Sequence, residues 1–143
     1  MTTPSYPIET LGNDDDDGTM PDNVERLGEA VIGHKIISAS VERGARRSWS
    51  SFNPTGLVLT LDNGKRVILK DTGDCCAYTA LEKFILDPQN VDHAILGVGT
   101  TEQYTKWHIY ADFGDVMELQ VGWSCGNPFY YGYGFDITVE EIP

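Results

Sequence analysis

The sequence predicts an α+β domain built on a mainly antiparallel, curved β-sheet or partly open barrel with one main helix. Three observations carry that expectation. Short apolar runs of strand period recur between turn residues from Ile36 to Val139. The dipeptide Asn63-Gly64 separates two such runs, as a tight hairpin turn demands. A single stretch, beginning at Cys76, instead carries its apolar residues at helical spacing.

Taken in order, residues 1–28 are expected to form an acidic, disordered tail, and residues 29–143 a single β-rich domain. The run Asp14-Asp15-Asp16-Asp17 and the segment Met20-Pro21-Asp22-Asn23 show no sustained apolar period, and like charges repel one another. Val24 to Leu27 offers at most one turn of helix. A first strand runs from His34 to Val41, with Ile36 and Val41 inward and an imperfect alternation. Leu57, Leu59 and Leu61 share one face of the next strand, because side chains alternate across a strand. The return strand is Arg66–Leu69. After Cys76, the residues Ala77, Ala80, Leu81, Phe84 and Ile85 fall on one helical stripe. Asp74 is placed to cap that helix and Asp87-Pro88 to end it. Strands are expected again at His93–Val98, Lys106–Ala111 and Val116–Val121, the last two joined through Asp112-Phe113-Gly114-Asp115. A final strand, Phe135–Glu140, points Phe135, Ile137 and Val139 one way and Asp136, Thr138 and Glu140 the other.

Length and charge bound the function. One hundred and forty-three residues suffice for one domain with one sizeable core. With ten basic residues and a net charge of −12, direct nucleic-acid binding is disfavoured, since that affinity comes largely from Lys and Arg on phosphates. The one local cluster, Arg43, Arg46 and Arg47 beside Trp49, reads as a solvated loop. An acidic surface suits a protein partner with a basic one, because opposite fields steer encounter. No apolar run approaches membrane-spanning length and the N-terminus lacks a signal-peptide pattern, so a soluble chain with no membrane association is expected. Three cysteines, two of them adjacent, make no disulfide framework and suit a reducing compartment. Phosphate-loop, dinucleotide and nucleophile-elbow motifs are absent, and Gly97-Val98-Gly99 lacks the third glycine of a dinucleotide turn, so no cofactor is expected.

Two places remain as candidate sites. Cys75 and Cys76 have three chemistries open to them. They could bind a metal together with His34, His93, His108 or Cys125, although adjacent thiols match zinc spacing poorly, so no metal site is assigned. They could supply a nucleophile, with a helix N-terminus lowering the thiol pKa while Asp71 and Asp74 raise it. Or one could pack in the core as a small apolar residue while its neighbour is half exposed. The second place is the glycine-rich stretch from Gly122 to Gly134, where Trp123, Phe129, Tyr130, Tyr131 and Tyr133 are candidates for binding a partner. Such rings bury large area with few rotors, and they serve equally to close the open end of a sheet.

The strand beginning Gly33 to Ile36, the hairpin Leu59 to Gly64, and the corner Asp71, Asp74, Cys75 and Cys76 together resemble a small bacteriophage-encoded family of unknown function, found in phages of actinobacteria among others. That family often carries Glu after the paired cysteines, where this chain has Ala77. The resemblance implies a phage context and an antiparallel β-rich domain, and no chemistry. The expectation for function is a small acidic phage accessory protein, located in the host cytoplasm, that binds a host or phage protein without catalysis. The alternatives are a cysteine-based enzyme or small-ligand protein using Cys75 or Cys76, and a structural component of the virion.

Overall fold

Strand β1 (Ile36–Arg43), β2 (Thr55–Leu61), β3 (Lys65–Lys70) and β9 (Asp136–Glu141) form one antiparallel sheet in the order β1-β2-β3-β9. A second sheet holds β4 (Thr72–Gly73), β5 (Tyr78–Leu86), β8 (Gly114–Ser124), β7 (Lys106–Ala111) and β6 (Gly97–Thr101), in that spatial order, and curls as a half-barrel. One helix, α1 (Thr19–Val31), lies against β6 and β9. The structure is a computed structural model and describes residues 6, 9, 11, 16, 18–43, 55–73, 77–126 and 133–141. The fold is thus α+β and mainly antiparallel sheet. Among the described residues no helix is long and apolar enough to cross a membrane.

The core follows from strand alternation. Leu57, Leu59 and Leu61 of β2 and Val67 and Leu69 of β3 turn inward and are buried. They meet Trp107 and Ile109 of β7 and Met117, Leu119 and Val121 of β8 in one cluster. The buried Trp107 indole donates to the Tyr104 carbonyl at 2.9 Å, so its polar edge is satisfied as its ring packs edge-on to Phe135.

The β2–β3 hairpin stands where Asn63-Gly64 places it, with a different division of labour. Only Gly64 takes the left-handed conformation (φ 79°), after a turn closed by Gly64 N–H to Leu61 O. That is the three-residue loop with a single left-handed glycine, and Asn63 instead accepts from Lys65 N–H through its side chain.

Three further expectations are corrected. Residues expected to form a helix from Cys76 form strand β5. Its pairing with β8 slips between Leu81 and Lys83, so a bulge at Glu82 adds one residue. Thr79 and Leu81 before the bulge, and Phe84 and Leu86 after it, all oppose inward residues of β8. A strand with a bulge therefore repeats its apolar residues at a spacing of three, which imitates a helix. The helix lies instead at Thr19–Val31, running from the stretch read as tail into the start of the expected domain. Met20, Leu27 and Val31 are buried, with Val24 packed beside them, and Pro21 sits in the first turn, where a missing N–H costs nothing. Asn23 secures the helix by pairing its amide with both N–H and C=O of Phe135, each at 2.9 Å. Finally, the strand expected from His93 begins only at Gly97. Val139 keeps the side of Ile137 as expected and is half exposed on the edge strand β9.

Candidate functional site: a tyrosine-covered histidine on the half-barrel

The outer face of the half-barrel gathers the ionisable side chains. Gly99 of β6, His108 of β7 and Glu118 of β8 stand in register across three strands. Strict alternation would send Asp115 to the opposite face from Glu118. Pairing of β7 with β8 slips after Ile109, however, so Val116 is passed over and Asp115 stands opposite Tyr110. That bulge brings both carboxylates to the His108 side.

His108 is 7% exposed although it faces outward. Its Nδ1 lies 2.8 Å from Asp115 Oδ2 and 3.7 Å from Glu118 Oε1, and its Nε2 lies 2.8 Å from the Thr101 hydroxyl. The cover is Tyr6, from the N-terminal segment. Its ring stacks on the imidazole with centroids 4.3 Å apart and planes 8° off parallel, and its hydroxyl donates to Asp115 Oδ1 at 2.5 Å. Burial first, then the bond to Asp115 and the charges of Asp115 and Glu118, push the Tyr6 phenol well above its usual range. Gly99 makes room for it: a Cβ there would sit 2.3 Å from Tyr6 Cβ.

The β6–β7 turn adds a second receptor. Glu102, Gln103 and Tyr104 all take positive φ, of 56°, 58° and 61°, a conformation that disfavours side-chain-bearing residues. The turn is held by its partners. Trp123 Nε1 donates to Gln103 O and Trp107 Nε1 to Tyr104 O, both at 2.9 Å. The successive N–H groups of Gln103 and Tyr104 both donate to the Glu9 carboxylate, at 2.6 and 3.0 Å, as an anion-binding concavity does. Tyr104 returns a bond from its hydroxyl to Glu9 O. Burial, then the charges of Asp16 and Glu9, raise the Tyr104 phenol.

Two chemistries are conceivable here. His108, Asp115 and Glu118 place one ligand atom each within 4.8 Å of one another, the one such group among the described residues. A divalent ion would have to displace the His108–Asp115 hydrogen bond to enter. Thr101, His108 and Asp115 also line up as hydroxyl, imidazole and carboxylate. Yet the neighbouring cleft of about 410 Å³ is lined by Thr100 and not by Thr101, and Tyr6 covers the imidazole. What the arrangement does now is hold a tyrosine and a glutamate.

The residues singled out in the sequence lie elsewhere. Cys75, Cys76, Phe129, Tyr130 and Tyr131 fall outside the described residues, as do Asp74, Arg46, Arg47 and Trp49. Trp123 stacks on Tyr133 at 5.7 Å, and Tyr133 is 8% exposed with its hydroxyl on Asp16 Oδ1. These two rings face each other and the domain. Cys125 is nearly buried beyond β8. His34 and His93 pair with Asp62 and Asp112, at 3.3 and 2.9 Å.

Against known proteins, the model of a domain of unknown function, DUF7448, matches residues 29–137. No curated protein and no solved structure matches the chain.

Proposed function

The chain belongs to the DUF7448 family, whose function is unknown, and we propose that it acts by binding a protein partner with a basic surface rather than by catalysis. One observation carries this reading. On the solvent face of α1, Asp22, Glu25 and Glu29 are exposed at spacings of three and four, with Arg26 the single cation among them. Residues so spaced share one side of a helix, and the stripe continues into Ile32, 48% exposed. An acidic ridge with an apolar end suits a basic groove, and the net charge of −12 extends the field that guides the approach.

The aromatic loop is proposed as the second part of the contact. Its last residues are anchored beside α1, Tyr133 on Asp16 and Phe135 on Asn23, so the loop returns to the domain next to the acidic ridge. Phe129, Tyr130 and Tyr131 are the rings proposed to meet the partner. The resemblance of the hairpin and the Asp-Cys-Cys corner to phage proteins supports a host or phage protein as that partner.

The test is affinity capture from phage-infected host cells, with wild type and an Asp22→Asn/Glu25→Gln/Glu29→Gln variant compared at moderate and high salt. A basic protein retained by wild type at moderate salt, and lost with the variant, is the expected result. Equal retention by both would sink the reading, as would no retained protein at all.

A further inference from the structure

We propose that the notch at Gly99 and His108, together with the Gln103–Tyr104 N–H pair, is a docking site for an extended protein segment presenting a tyrosine and, three residues on, a carboxylate. In this chain Tyr6 and Glu9 are its intramolecular occupant. This surface touches the α1 ridge only at Glu25, which lines the same cleft, and its tyrosine and carboxylate contacts do not depend on the ridge.

Four features argue for a receptor with a replaceable occupant. First, the groups that receive stand on β6, β7, β8 and the β6–β7 turn, and the groups received come from the segment before α1. Gly99, Thr101, Gln103, Tyr104, His108 and Asp115 all fall within the family's matched residues 29–137, whereas Tyr6 and Glu9 lie outside them. Second, the receptor is shaped in advance by the β6–β7 hairpin. The three left-handed residues present successive N–H groups, and the bulge at Val116 aims Asp115 at the tyrosine hydroxyl. Third, the fit is specific in kind. A ring stacks flat on His108, its hydroxyl reaches Asp115, and the space over Gly99 admits no side chain of its own. A carboxylate answers the N–H pair with two bonds. Fourth, the occupant leaves open space on its α1 side. Tyr6 and Glu9 stand off from Pro21 and Val24 of α1 across the cleft of about 410 Å³, which leaves room for the flanking side chains of an incoming segment.

A tethered occupant competes at an effective concentration of about 1 mM, so a free segment with an intrinsic Kd of about 10 μM would bind wild type roughly 100-fold more weakly than a protein whose own segment is disabled. The probe is a fluorescein-labelled peptide with the sequence of residues 3–12, titrated in fluorescence polarisation against the full chain. Three proteins are compared: wild type, Tyr6→Ala/Glu9→Ala, and the same double variant carrying Gly99→Val. Near-ultraviolet circular dichroism reports whether each is folded. The expected result is saturable binding to the folded double variant, about 100-fold weaker binding to wild type, and loss of binding on adding Gly99→Val. A probe with Ala at its tyrosine and glutamate positions should bind none of them. The inference is overturned by a folded double variant that ignores the probe, or by wild type binding it as tightly. It is equally overturned by a double variant that does not fold, since the segment would then be part of the fold and not an occupant.

Discussion

Gly99→Ala is the substitution whose effect the structure fixes most tightly. Gly99 lies in β6 with an extended backbone that alanine adopts freely, so the change alone should stabilise the chain by about 0.4–1 kcal/mol through the unfolded state. Opposed to this is the Tyr6 side chain, whose Cβ, Cγ and Cδ2 would lie 2.3, 2.7 and 2.9 Å from the new methyl. These atoms are the root of the side chain, so no rotation about the ring relieves them and the segment itself must lift. Lifting it forfeits the stack on His108, worth about 0.5–1.5 kcal/mol. It also forfeits the hydroxyl–carboxylate bond to Asp115, about 1.5–3 kcal/mol for a charged acceptor. Together these losses come to roughly 2–4.5 kcal/mol, and the net destabilisation to roughly 1–4 kcal/mol after the alanine gain. With Tyr6→Ala already present there is nothing to lift, and Gly99→Ala should become neutral or mildly stabilising. Urea denaturation of the four proteins in the cycle reads the coupling directly from midpoints at constant slope. If Gly99→Ala has the same effect in both backgrounds, within about 0.5 kcal/mol, Tyr6 does not rest on Gly99 and the description of the site fails.

Two other perturbations test separate parts of the structure. The Tyr6 phenol is raised above the ordinary tyrosine value of about 10, so its contribution to stability is fully present below pH 10 and is lost as pH rises through the folded value. Denaturation midpoints should therefore fall above pH 10, and Tyr6→Phe should reduce that slope without abolishing it, because Tyr104 is raised in the same direction. Thr79 is fully buried in β5 and accepts from Gly134 N–H at 2.6 Å. Thr79→Val keeps the shape and orphans that donor, for an expected loss of about 1–3 kcal/mol in urea, while Thr79→Ser should retain most of the bond. A Val variant as stable as wild type would contradict the strand placement of β5.

Much of the fold was legible because strand alternation is local. Leu57, Leu59 and Leu61 announce their shared face, Trp107, Ile109 and Ala111 do the same, and Asn63-Gly64 marks the hairpin between β2 and β3. Alternation was misread where the chain carries an extra residue. The bulge at Glu82 sets Leu81 and Phe84 on one face at a spacing of three, a local pattern that a helix shares. What distinguishes the two is the partner strand, and β8 is more than thirty residues away. The slip at Ile37 explains the imperfect first strand in the same way, by leaving Ile37 and Ser38 both outward between Ile36 and Ala39. The helix had its own signal, since Met20, Val24, Leu27 and Val31 follow a four-three-four spacing. The proline and acidic residues around Met20 masked it, although Pro21 in a first helical turn is favourable.

The site lay beyond local reach for a stronger reason. Asp115 and Glu118 are an odd number of residues apart, so any register without a bulge separates them, and the bulge at Val116 is set by pairing with β7. Tyr6 meets Asp115 across 109 residues of sequence, from a segment whose composition suggests only a tail. The three positive-φ residues Glu102, Gln103 and Tyr104 include no glycine to flag them, and Trp107 and Trp123 bond to their carbonyls from within the domain. Each element that makes the surface able to receive a side chain is therefore a departure from regular strand or turn geometry. Such departures are expected to persist where the surroundings over-determine them and where something is bound. Here the surroundings are the half-barrel, and what is bound is the chain's own N-terminal segment.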